Sequence, residues 1–179
     1  MKRTSLLVAL LVVVGMLVVP ATGALAQETE NEPETDDVSP GERFSGVIGV
    51  QSAEFDGEIE RNAFRIALER ADDNATKARH IAEKLNETER RLAELKERQA
   101  RLQEQRENGE ITEGQYRART ARMAAEVETA EEQLNRSNAT AAELPVETLE
   151  ANGVNTTAIR TLKNNASELS GPEVAEIAR

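Results

Sequence analysis

Residues 78–112 read ARHIAEKLNETERRLAELKERQARLQEQRENGEIT, and the part before the Asn-Gly pair decides the fold. Its mainly apolar seam residues recur by alternating steps of three and four over four heptads. This spacing predicts a long helix with a coiled-coil seam. Asp73 and Asn74, just before the run, offer an N-cap. The seam positions are Ala78, Ile81, Leu85, Thr88, Leu92, Leu95, Gln99, Leu102 and Arg106.

A second run of the same kind follows a turn. Asn108-Gly109 favours a chain reversal, and Thr112 with Gln115 three residues later forms a capping-box pattern that starts a new helix. Because the connection is short, the two helices must be antiparallel. We predict hairpin arms at about 75–107 and 112–144. The second seam comprises Tyr116, Thr120, Met123, Val127, Ala130, Leu134, Ser137, Ala141 and Leu144.

Folding the chain about Ile111 gives a testable register. It places large residues of the first arm opposite small residues of the second, and Arg98 near Glu126. It also places Glu89 near Glu131, so the flanking charges do not specify the register by themselves. The small second seam needs further cover, from a helix at 59–71 or from a second copy of the protein.

The segments around the hairpin predict shorter elements. Residues 44–50 form an apolar patch with two glycines, which leaves a strand or a docking segment open, and helical spacing begins near Asp56 and runs to Ala71. Short helices occupy 145–179: one from Pro145 to Gly153, one capped by Asn155, and one opened by Pro172 that is still running at Arg179. We therefore predict an all-α fold with a helical domain at 44–144.

The N-terminus predicts export. Lys2 and Arg3 precede an apolar run of about 14 residues, and Ala24-Leu25-Ala26 matches the signal-peptidase pattern. Cleavage between Ala26 and Gln27 would remove a signal peptide at 1–26. The alternative is an uncleaved membrane anchor. Residues 27–43 are acidic, with nothing to bury, and predict a disordered linker.

Charge restricts the environment and the partners. The chain has 33 acidic and 22 basic residues, and removal of the first 26 residues leaves a net charge near −13. Such a protein is repelled by nucleic acid and by anionic membranes. An acid-rich, lysine-poor surface is typical of halophilic proteins, and the absence of cysteine leaves helix packing to stabilise the fold.

Six sequons of the Asn-x-Ser/Thr type predict possible N-glycosylation of an exported chain. Asn86 and Asn135 are each one residue past an inward seam position, so a glycan would point outward there. The competing interpretation is that Asn74 and Asn155 are helix N-caps and that the rest are polar surface residues. The sequons begin at Asn74, Asn86, Asn135, Asn138, Asn155 and Asn165.

Enzymatic chemistry has little support. His80 is the only histidine and lies outside the seam, so no catalytic triad and no His/Cys metal site can form. We predict no catalytic, metal-binding or cofactor-binding residues and no cofactor. Three i,i+4 pairs support the helix instead, namely Glu87 with Arg91, Glu94 with Arg98, and Glu97 with Arg101.

Three segments together carry a family resemblance: VIGVQ at 47–51, ENGEITEGQYR at 107–117 and ASELSGPEVAEIAR at 166–179. With them the chain resembles a family of exported haloarchaeal helical proteins of unknown function. The resemblance implies an archaeal source, an extracytoplasmic location and a chain that continues past Arg179. It assigns no catalytic residue.

These observations favour an exported structural or protein-interaction protein of the haloarchaeal cell surface, which contacts a protein partner or a second copy through its helices. One alternative is an extracytoplasmic chaperone or adaptor that offers an apolar groove to clients. The other is the sensing domain of a membrane-anchored protein, which requires that the signal stay uncleaved.

Overall fold

Five helices make up the described part of the chain. A computed structural model describes residues 38–171, of which 85% are helical and none is in a strand, so the all-α prediction is confirmed. The signal peptide with its cleavage site, the linker up to residue 37 and the helix predicted from Pro172 lie outside the described residues. The helices are α1 (Pro40–Glu69), α2 (Asn74–Glu107), α3 (Glu113–Ala142), α4 (Val146–Ala151) and α5 (Thr156–Leu169).

The α2–α3 hairpin has the ends that the sequence predicts. Asp73 is the N-cap of α2, and its carboxylate accepts a 2.6 Å hydrogen bond from the Thr76 N–H. At the tip, Gly109 has φ +69°, a left-handed conformation that glycine adopts without strain. The Thr112 hydroxyl accepts a 3.0 Å hydrogen bond from the Gln115 N–H and caps α3.

The seam is buried along most of both arms. Three seam residues, which are polar or at the end of an arm, are not fully buried: Gln99 and Leu144 are half-buried, and Arg106 is exposed. The Arg106 guanidinium stacks 4.4 Å from the centre of the Tyr116 ring. Arg98 Nη1 lies 2.8 Å from a Glu126 carboxylate oxygen. This cross-arm pair confirms the register predicted by folding the chain about Ile111.

Two of the three predicted i,i+4 ion pairs are replaced by contacts between helices. Arg101 lies 3.5 Å from Glu97, as expected. Arg98 pairs with Glu126 of α3, and Arg91 pairs at 2.8 Å with Glu60 of α1. Long arginine side chains reached partners on neighbouring helices, which the spacing within one helix does not reveal.

The first helix is longer than the sequence analysis predicted. It begins at Pro40, so residues 40–43 of the predicted linker form its first turn, and the patch at 44–50 is helical and not a strand. A capping box starts it: the Ser39 hydroxyl accepts from the Glu42 N–H at 3.3 Å, and the Glu42 carboxylate accepts from the Ser39 N–H at 2.9 Å. Proline at the first helical position fits this start.

Glycines let α1 approach α3 closely. The α1 face toward α3 is made of small residues at steps of three or four, Gly46, Gly49, Ala53 and Gly57, followed by the buried Phe64. A β-carbon added to Gly57 would lie 2.5 Å from the Thr129 methyl group, which is closer than atoms can pack. The two glycines in 44–50 therefore serve a helix contact, although glycine weakens an isolated helix.

The helices α1 and α3 run parallel, side by side. Glu42 near the start of α1 contacts Thr112 at the start of α3, and Arg61 lies 2.5 Å from Glu132 further along both helices. This arrangement confirms that the N-terminal helix packs on the second arm. A second helix, α5, also packs on α3 and on α2.

The C-terminal elements follow the predicted boundaries. Gly153, with φ +76°, ends the α4 turn, and the Asn155 side chain accepts a 2.7 Å hydrogen bond from the Thr157 N–H to cap α5. The buried residues of both helices join the same core as the hairpin seam. These residues are Leu149, Ile159, Leu162, Ala166 and Leu169, joined by Val154 from the turn between the two helices.

Gln133 is a weak point of this core. Its side chain is 3% exposed, and neither amide atom has a hydrogen-bond partner. Because a buried unpaired amide is costly, Gln133→Met should raise the free energy of unfolding by about 1–2 kcal/mol in urea titrations at fixed salt. The same substitution at the exposed Gln103 should change it by less than about 0.5 kcal/mol. A destabilised Gln133→Met variant would contradict this prediction.

Candidate interaction surface

A row of large apolar side chains lies on the solvent side of α1. These side chains are between 38% and 67% exposed, whereas the other described helices expose one large apolar side chain, Val146 of α4. Two uncharged amides, Gln51 and Asn62, fall between them and are also exposed. We call these seven residues the α1 stripe. Its apolar members are Phe44, Ile48, Phe55, Ile59 and Ile66.

The α1 stripe is narrow and lies opposite the small residues that face α3 (Gly46, Gly49, Ala53 and Gly57), which we call the glycine face. At about 100° per residue, its seven positions fall within roughly 80° of one another around the helix. The glycine face lies roughly 150° away, against α3. The α1 helix is thus apolar on two sides, one made of small residues and buried, the other made of large residues and exposed.

An 11-residue repeat underlies both faces. Residues 44–54 read FSGVIGVQSAE and residues 55–65 read FDGEIERNAFR, followed by Ile66. Three helical turns take about 10.8 residues, so positions 11 apart return to nearly the same side. The helical spacing from Asp56 to Ala71 does not reveal this repeat, because its first copy lies before residue 56. The repeat places Phe44 and Phe55 on the outer side and Gly46 and Gly57 on the inner side.

Charged residues border the α1 stripe unequally. Glu54, Glu58 and Arg65 line one edge and are exposed, together with Val47, an apolar residue that is 55% exposed. The other edge carries small uncharged residues at 45, 52 and 63, with Asp56 as its one charge between residues 45 and 63. A helix laid against the stripe would meet three charges along one side and one along the other.

Contacts on the inner side hold the stripe in place. Glu60 of α1 lies 2.8 Å from Arg91 and 3.2 Å from Lys84, both on α2, while Arg61 pairs with Glu132 of α3. These ion pairs are partly buried, and salt weakens them, whereas the contact of the glycines with α3 does not depend on charge. The stripe is therefore presented by a helix fixed to two others.

The cleft beside the stripe is acidic. It has a volume of about 470 Å³ between α1 and α3, with Phe55 on its wall and Arg61 among its carboxylates, Glu54, Glu58, Glu128 and Glu132. Within residues 38–171, no three His, Cys, Asp or Glu side chains are grouped to hold a metal ion. His80 lies 3.4 Å from Glu83 on the surface of α2.

The six predicted glycosylation asparagines are all exposed, but their hydroxyl residues differ. Thr88 and Ser137, which complete the sequons of Asn86 and Asn135, are 3% and 1% exposed. Asn155 is an N-cap, as the competing interpretation held, whereas Asn74 is the first residue of α2, capped by Asp73. None of the six lies on α1, so glycans at these sites would leave the α1 stripe uncovered.

The N-terminus of α1 is tied to the hairpin tip through Glu42. Hydrogen bonds from the Thr112 hydroxyl and from Ser39 lower the pKa of the Glu42 carboxyl. Gly114 leaves the space for this carboxylate, since a β-carbon there would lie 2.4 Å from a Glu42 oxygen.

This contact should make the start of α1 sensitive to acid. A carboxyl whose pKa is lowered by folding stabilises the folded state above its unfolded pKa, and that contribution is lost as the pH falls through the lowered value. The protection of the Ser39 and Glu42 amides against hydrogen exchange, relative to the unfolded-chain rate at the same pH, should therefore fall below the ordinary glutamate pKa. Glu42→Gln should remove this fall in protection, and Glu104→Gln on the exposed side of α2 should leave it unchanged.

Among residues 38–171, no helix combines the length and apolar character needed to cross a membrane. Comparison with known proteins finds no matching family, no similar curated protein and no similar solved structure.

Proposed function

We propose that this chain is an exported structural or protein-interaction protein of the haloarchaeal cell surface, and that it is not an enzyme. The α1 stripe is the observation that carries the proposal. Its five apolar residues expose on the order of 500 Å², near the upper end of what monomeric proteins leave uncovered. A surface of this size on a fixed helix favours a protein contact.

The form of the stripe supports one helical partner over many clients. A coiled-coil contact needs a narrow apolar seam along a helix, whereas a chaperone for varied clients needs an adaptable groove. The stripe is narrow, convex and regular. Its area nevertheless keeps the chaperone or adaptor function as the second candidate.

The proposed export and the proposed halophilic source rest on the N-terminal sequence pattern and on the excess of acidic residues. The basic start, the apolar run and the small residues before Gln27 support secretion, and the 33 acidic residues against 22 basic ones support a halophilic source. N-terminal sequencing of the protein from native cells tests both alternatives. A start at Gln27 supports secretion, and an intact Met1 supports the anchored form.

Capture at molar salt tests the interaction function. Affinity-tagged protein is recovered from native membranes and medium, beside a Phe55→Asp variant in the α1 stripe and a Val146→Asp variant at an apolar residue 62% exposed outside α1. We expect the unmodified bait to capture specific proteins, among them untagged copies of the same chain. These proteins should be missing from the Phe55→Asp capture and present in the Val146→Asp capture. Recovery of the same proteins by all three would contradict the proposal, and a broad set of unfolded clients would favour the chaperone.

A further inference from the structure

We propose that the α1 stripe is occupied by the α1 stripe of a second copy, with the two helices parallel and in register. This inference rests on the proposed interaction function and names its partner. A two-fold axis would run along the pair of helices, so each stripe residue meets its own counterpart.

The area fits a modest dimer. Two stripes of on the order of 500 Å² each would remove at most about 1,000 Å² from water, the threshold for a biological interface and the size of weak, transient ones. Such an interface gives a dimer that depends on concentration. Each exported copy has a net charge near −13, so the copies repel one another, and salt that screens this repulsion should strengthen the dimer.

The polar residues within the stripe favour the parallel arrangement. In parallel register Gln51 meets Gln51 and Asn62 meets Asn62, so each amide finds an amide partner. In the antiparallel arrangement centred on Phe55, Asn62 would meet Ile48 and Gln51 would meet Ile59. Burying an amide against an aliphatic side chain leaves its hydrogen bonds unmade, and a paired Asn in a helical seam specifies parallel register.

The 11-residue repeat extends the fit along the helix. Because positions 44, 55 and 66 return to nearly the same side, two straight helices stay in contact over the 22 residues from Phe44 to Ile66. At 1.5 Å per residue this contact is roughly 33 Å long.

Light scattering and sedimentation equilibrium of the purified exported chain test the dimer. At molar salt we expect a mass twice that of one chain. Phe55→Asp should halve that mass with helix content unchanged by circular dichroism, and Val146→Asp should keep the dimer. A monomer at every concentration, or a dimer unaffected by Phe55→Asp, would overturn the inference.

Orientation is tested with single cysteines, which the cysteine-free chain allows without background. Asn62→Cys should form a disulfide between copies under mild oxidation only in the parallel arrangement, because antiparallel pairing places the two residues about 21 Å apart. Phe55→Cys should crosslink in either. Crosslinking of Phe55→Cys without Asn62→Cys would refute the parallel register. A monomer that still loses a captured protein with Phe55→Asp would refute the dimer and leave the proposed function standing.

Discussion

Replacing Gly57 with leucine should separate α1 from α3 and cost about 3 kcal/mol of unfolding free energy. The side chain has no space, because even a β-carbon would lie 2.5 Å and 2.6 Å from the Thr129 γ atoms and 3.1 Å from its β-carbon. Amide hydrogen exchange in α1 should quicken far more than in α2. Gly41→Leu is the matched control, since nothing lies within 4 Å of a β-carbon there.

A smaller substitution isolates the contact itself. Gly57→Ala should still destabilise, by about 1–2 kcal/mol, although alanine favours a helix by up to about 1 kcal/mol over glycine. Thr129→Ala removes the two nearest atoms and should recover part of this loss in a double-mutant cycle. Unchanged stability in Gly57→Ala, or additive effects in the cycle, would show that α1 and α3 are not in tight contact at this point.

Leu134→Ala should have an effect of similar or larger size. Leu134 is fully buried in α3, the helix that contacts α1, α2 and α5. Truncation leaves a cavity and should lower the free energy of unfolding by about 2–5 kcal/mol, measured by urea titration at fixed salt. Because its seam neighbours Ala130 and Ser137 are small, no long side chain beside it along the seam can fill the space.

Two further substitutions make the Leu134 result interpretable. Leu134→Met keeps the volume and should cost less than about 1.5 kcal/mol. Leu144→Ala, at the half-buried end of the seam, should cost clearly less than Leu134→Ala. Equal losses at both positions would mean that the central part of α3 is no better packed than its end.

The hairpin could be predicted from the sequence because its determinants are local and repeated. Four heptads set the seam, Gly109 and Thr112 set the turn, and the Arg98–Glu126 pair follows once the turn is placed. Capping residues such as Asp73 and Asn155 gave helix starts for the same reason.

The first helix was harder to predict, because its glycines can indicate either a break in the helix or a close contact with another helix. In an isolated segment glycine argues against helix, and only the presence of α3 turns Gly46 and Gly57 into a contact face. The start at Ser39-Pro40-Gly41-Glu42 was nevertheless readable as a capping box. The α1 stripe does not follow from the spacing at 56–71, because its 11-residue repeat begins at Phe44, in the patch for which a strand or a docking segment stayed open.

Because α1 contains several glycines, its outer surface keeps its form only while α1 is packed on α3. Each of Gly46, Gly49 and Gly57 weakens a free helix by up to about 1 kcal/mol, so α1 on its own would be mostly unfolded. Its large apolar residues then form a single row only while α3 holds the opposite face. By linkage, any molecule that binds this row also strengthens the attachment of α1 to α3, and loosening that attachment weakens binding by the same free energy.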